Sequence, residues 1–115
     1  MTLQIQASPP LPVAQLAQEV TRRILQIVQP QRVVLFGSSV RGNLAPDSDL
    51  DVLVILRGPA HRRQVAQSIY RNLHGVGVPV DIVVATQEDI EQYGNRPGSI
   101  LRHALQEGQV IYEAE

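Results

Sequence analysis

The sequence contains no cysteine, no lysine and no tryptophan, and aromatic residues make up only 3% of its 115 positions. Without cysteine there is no thiol nucleophile, disulfide, zinc knuckle or iron–sulfur ligand set. His61, His74 and His103 are too scattered to form a spaced metal motif. Redox chemistry is thereby set aside. Without lysine, Schiff-base chemistry is excluded, as is the phosphate loop that ends in Gly-Lys-Ser/Thr, so any phosphate must be held by other groups. The formal charge is −1, from ten basic residues, all arginine, against eleven acids. With so few aromatics to stack on bases, that is a poor footprint for autonomous nucleic-acid binding. The longest aliphatic runs, Val33 to Phe36 and Val52 to Leu56, fall far short of the roughly 20 residues that span a bilayer. Met1 to Val13 also lacks the basic and apolar blocks of a secretory signal, so the expected location is cytoplasmic, with no membrane partner.

What is present fits one globular domain: 43% hydrophobic and 18% charged residues, enough to build a core without disulfides or structural metal. Residues Met1 to Pro12 carry three prolines and only weak alternation at Leu3 and Ile5, which suggests a flexible lead or at most an edge strand. The domain proper is expected over 13–115. Val13, Leu16, Val20, Ile24 and Ile27 recur at threes and fours, the stripe of a helix that packs one face inward and stops before Pro30. Arg32 to Phe36 reads as a buried strand ending abruptly at Gly37, with a short helix starting near Ser38. The turn-rich stretch from Gly42 to Ser48 leads to a second buried strand, Leu50 to Leu56. A helix within Ala60 to Leu73 follows, with Gly75 as its left-handed stop, then a third strand, Val78 to Val84. Thr86 and Asp89 make a capping box for a short helix to Tyr93. A further helix, Pro97 to Glu107, is expected to turn Ile100, Leu101, Ala104 and Leu105 inward, before a last short strand at Gln109 to Tyr112. The fold class is α/β (α+β), a small mixed sheet with flanking helices.

Three carboxylates sit where acids are uncommon. Asp49 and Asp51 stand two apart at the entrance of the second strand, so their side chains leave one face while Leu50 points to the other. Asp81 interrupts the apolar run of the third strand, where an unpaired buried charge would cost several kcal/mol. If the two strands are neighbours, three carboxylates meet at one end of the sheet, and a hard divalent cation, magnesium first, is their natural partner. The alternative is structural: Asp49 caps a turn, Asp51 sits at a wet strand end, and Asp81 pairs with Arg32 or Arg41. Gly37-Ser38 adds a second element, since a residue without Cβ lets phosphate oxygens approach backbone N–H groups and Ser38 can donate a hydroxyl. Arg41, three residues on, would lie on the same side as Ser38 and neutralise phosphate charge. The combination is specific through its spacing: Gly37-Ser38, ten residues, Asp49-x-Asp51, then a third acid in a separate hydrophobic strand.

Leu35-Phe36-Gly37-Ser38-Ser39-Val40-Arg41-Gly42 and Asp47-Ser48-Asp49-Leu50-Asp51-Val52-Leu53-Val54 resemble the signature of the minimal nucleotidyltransferases of the DNA polymerase beta superfamily. The likeness runs from about Val13 to the C-terminus, where Gly98 to Gly108 is similar to the family's closing helix. It implies that Asp49 and Asp51 bind two magnesium ions, that Asp81 binds the catalytic one, and that Gly37 and Ser38, with Arg41, hold the triphosphate of ATP. It further implies a helical HEPN-type protein partner, paired with this chain as toxin with antitoxin, whose tyrosine receives AMP. A second reading from another class is a binding module that neutralises its partner by masking it. A sugar-nucleotide transferase reading of Asp-x-Asp ranks last, because so short a chain lacks a second nucleotide-binding half. Arg62 and Arg63 are a possible contact for an acidic partner or a solvated helix face. The three histidines read as surface residues, and Tyr70, Tyr93 and Tyr112 as packing groups with one wet end.

Overall fold

A computed structural model describes residues 13–41 and 49–115, the Arg41 side chain excepted. The proline-bearing lead and the turn-rich stretch 42–48 lie outside the described residues. Four strands, β1 (Arg32–Phe36), β2 (Leu50–Leu56), β3 (Val80–Thr86) and β4 (Gln109–Glu113), form one sheet in the order β3-β2-β1-β4. The central strand β1 is antiparallel to β2 and to β4, whereas β2 and β3 run parallel. A parallel pair needs a long crossover, and α2 (Arg62–Arg71) supplies it. The sheet is mixed, as the sequence leads one to expect.

Strand alternation divides the core between the two faces. Val33, Leu35, Val52, Val54 and Ile82 point to the side covered by α1 (Val13–Leu25) and α2. Val34, Phe36, Leu53, Ile55 and Ala85 point to the side covered by α4 (Ile100–Glu107), with Ile90 of α3 (Gln87–Tyr93) packed against them. Both central strands are buried on both faces, which is why their sequences read as unbroken aliphatic runs. Fully burying such side chains contributes about 1.5–3 kcal/mol each, offset by the entropy of ordering the chain.

Several boundaries differ from the sequence reading for local reasons. The α1 stripe is Val13, Leu16, Val20 and Ile24; Ile27 lies past the helix end and is 38% exposed. Strand β3 begins two residues later than expected, after Gly77 at φ 103° and Pro79, which has no N–H to give to a ladder. Pro79 instead offers its carbonyl to the Leu50 N–H, fixing the start of β2 against the start of β3. Gly75 has the expected positive φ, yet α2 has already ended, with the Asn72 N–H bonded back to the Ile69 carbonyl and the Leu73 N–H to the Tyr70 carbonyl. The last helix begins at Ile100, because Ser99 accepts from the Leu101 and Arg102 N–H groups as its N-cap. Ile100 therefore occupies the first turn and is 52% exposed, not inward. The capping box at the start of α3 forms as read: Thr86 accepts from the Asp89 N–H and Asp89 accepts from the Thr86 N–H.

Candidate active site

The parallel register of β2 and β3 places Asp51 directly opposite Asp81, while Phe36 of β1 is the antiparallel partner of Asp51. By strand alternation all three share the α4 side of the sheet. Asp49 is exposed and precedes β2, while Leu50 between the two acids is fully buried on the opposite face. The three acids thus gather at one end of the sheet. Among the described residues, Asp81 has no arginine partner, and Arg32 lies 3.8 Å from Glu113 at the far end of β1.

Gly37 opens the 3-10 turn Gly37–Arg41 that follows β1. Its φ is +78°, a conformation that penalises any residue with a Cβ. A Cβ at this position would also collide with Oδ2 of Asp51 and stand 3.3 Å from its Cγ. Glycine is therefore required twice over, for the turn and for the close approach of the turn to the carboxylate. Ser38 is exposed beside it, whereas Ser39 is fully buried and donates to the Phe36 carbonyl at 3.3 Å, tying the turn to the strand end. The Arg41 backbone closes the turn; its side chain, and the residues 42–48 that complete the loop to Asp49, lie outside the described residues.

Partial burial pushes the Asp51 carboxyl above its ordinary range, the charges of Asp81 and Asp49 add to the shift, and His103 opposes it. Among the described residues no three His, Cys, Asp or Glu side chains are placed to hold a metal ion together. The donor chemistry nevertheless fits a hard cation: carboxylate oxygens, mutually repelling, with side-chain-free Gly37 packed against one of them. An apolar cleft of about 530 Å³ lies between α1 and β4 on the α1 face of the sheet, with Ser39 and Val40 of the Gly37–Arg41 turn in its wall and no acid in its described lining.

The Nucleotidyltransferase domain family matches this chain over residues 15–111, a span that holds the turn, all three acids, the first three strands and the start of β4. The chain belongs to that family. The nucleotidyltransferase is 30% identical over 82 residues to a candidate protein adenylyltransferase of Methanocaldococcus jannaschii, covering 71% of this chain and 78% of that one. Its fold is similar to the crystal structure of a candidate nucleotidyltransferase from Sulfolobus solfataricus, with a TM-score of 0.60 and 18% identity, over 88% of this chain and 80% of that one. At that identity the likeness concerns the fold alone.

Two residues near the acids of the nucleotidyltransferase were not legible as site residues. Tyr70 donates to Oδ1 of Asp81 at 3.1 Å and accepts from the Ile82 N–H at 2.8 Å, so it does more than pack. Burial raises its hydroxyl above the ordinary value, the Ile82 N–H works against that, and the Asp81 carboxylate adds to it. His103 is exposed, as expected, but its ring meets Phe36 edge-on with centroids 6.2 Å apart, and Nδ1 lies 3.3 Å from Glu107 Oε2. Both depend on contacts between elements distant in sequence; no local pattern announces them. Arg62 is exposed on its helix, as read, and pairs with Asp89 at 2.6 Å, while Arg63 faces solvent. No helix among the described residues is long and apolar enough to cross a membrane.

Proposed function

We propose that the chain transfers a nucleoside monophosphate, AMP from ATP, to a hydroxyl of a protein partner and releases pyrophosphate, with 13–115 as the catalytic unit. The observation that carries this reading is the packing of side-chain-free Gly37 against the carboxylate of Asp51, which itself stands in register with Asp81. A turn that must expose backbone and a cluster that must attract cations are adjacent, as a triphosphate and its counter-ions require. Asp49 and Asp51 would hold two magnesium ions and Asp81 one of them. When bound, such a pair supplies activation of the acceptor hydroxyl and neutralisation of the leaving pyrophosphate.

The chain's own residues position the reactants. Gly37 lets the turn lie against Asp51, so that its backbone N–H groups and the Ser38 hydroxyl meet phosphate oxygens beside the cation site, and Arg41 offsets their charge. The acceptor oxygen attacks the α-phosphorus in line, the bond to pyrophosphate breaks, the hydroxyl proton is lost, and a phosphodiester joins AMP to the partner. The name of the Methanocaldococcus jannaschii relative supports adenylyl transfer to protein. The helical HEPN-type partner, with this chain as its antitoxin, rests on the family resemblance. The test is intact mass spectrometry of the adjacent gene's product after incubation with this chain and Mg-ATP. One or more AMP units should be gained. Binding without mass gain, from ATP or any other nucleoside triphosphate, would overturn transfer and mark a module that acts by masking.

A further inference from the structure

Asp81 occupies the outermost strand of the sheet, and its side chain is exposed. On an exposed strand edge the carboxylate can turn among rotamers, and among the described residues no arginine holds it, yet an ion site needs its oxygen fixed. Among the described residues, Tyr70 alone hydrogen-bonds one of the three acids through its side chain. Helix α2 packs on the other face of the sheet through Ile69, in the cluster that contains Ile82. Tyr70, the next residue, reaches around the open edge of β3. There its hydroxyl accepts the Ile82 N–H at 2.8 Å and donates to Asp81 Oδ1 at 3.1 Å.

We infer that Tyr70 is a positioning residue for Asp81, holding Oδ1 at the sheet edge so that Oδ2 is presented to the cation. The main-chain N–H occupies a lone pair of the phenol and so directs its proton outward, toward the carboxylate. The ring turns about only two side-chain torsions, so the geometry of the edge is transmitted with little slack. The same contact satisfies a strand-edge N–H that would otherwise invite pairing with another chain. The inference deepens the proposed function and rests on it, since it takes Asp81 as a cation ligand.

Tyr70→Phe keeps the ring and removes the hydroxyl. With Mn²⁺ as probe, read by the free-ion paramagnetic resonance signal, the variant should bind about 10-fold or more weakly than the unaltered chain. Nucleotide transfer should lose kcat by a similar factor with little change in the KM for ATP and an unchanged far-ultraviolet spectrum. In an Asp81→Asn background the same substitution should add no further loss in Mn²⁺ affinity, because Tyr70 acts through that carboxylate. Mn²⁺ affinity within about twofold of the unaltered chain, or a loss that persists in the Asp81→Asn background, would overturn the positioning role. If Asp81→Asn alone leaves both Mn²⁺ binding and transfer intact, the catalytic reading falls with it. If Asp81→Asn impairs both and Tyr70→Phe neither, only the role of Tyr70 falls.

Discussion

Gly37→Ala perturbs the turn and the acid cluster at once, through two effects of separable size. At φ +78° an alanine pays the left-handed penalty of an L-residue, about 1–2 kcal/mol. For a domain of this size each kcal/mol lowers Tm by about 4 °C. The new methyl also collides with Oδ2 of Asp51, with Cγ at 3.3 Å and Cβ at 3.5 Å behind it. Oδ2 is the far end of a side chain, so the carboxylate swings aside by on the order of an ångström and the backbone holds. A displacement of that size at a reacting centre costs about 10²-fold in rate, or about 2.7 kcal/mol of transition-state stabilisation. The assay pairs label transfer from α-labelled ATP to the partner with a thermal melt on the same preparation. Gly58→Ala is the control, since nothing lies within 4 Å of a Cβ there and no positive φ is required. Gly37→Ala transferring within about threefold of the unaltered chain would refute the idea that the turn and Asp51 are one device.

Asp51→Asn should stabilise the cation-free protein at neutral pH. The Asp51 carboxyl lies above its ordinary value of 3.8 in the fold, so the folded chain holds the proton more tightly than the unfolded chain. Stability therefore falls as pH rises from 3.8 through the raised value and stays lower above it. Urea midpoints should show the variant more stable at about pH 7 and level with the unaltered chain at about pH 3; a less stable variant at about pH 7 would contradict the repulsion. Thr86→Ala should cost about 1 kcal/mol in urea unfolding by removing the capping box of α3, with transfer unaffected because Thr86 is at the opposite end of β3 from Asp81.

The features legible in the sequence are those with a local physical cause. The aliphatic runs of β1 and β2, the 3.6-residue stripe of α1 and the Thr86 to Asp89 cap each declare themselves within a few residues, and the structure has them. Strand alternation makes Asp49 and Asp51 a candidate pair, and the apolar setting of Asp81 makes it conspicuous. That β2 and β3 are neighbours, with Asp51 opposite Asp81, is a tertiary fact which the sequence supports only conditionally. Tyr70 and His103 were illegible because their partners, Ile82 and Phe36, lie on other elements. Ile100 departs from the pattern for the opposite reason: periodicity counts an apolar residue in a first turn as inward, whereas the Ser99 cap starts the helix so that Ile100 faces water.

The central claim is that Asp49, Asp51 and Asp81 together enable nucleotidyl transfer. Its most direct measurement is the mass of the partner protein after incubation with Mg-ATP and, in parallel, the unaltered chain, Asp49→Asn, Asp51→Asn or Asp81→Ala, each checked for folding by its melt. The account predicts AMP addition with the unaltered chain and none with any of the three folded variants. Addition at an undiminished rate by any one of them would contradict it.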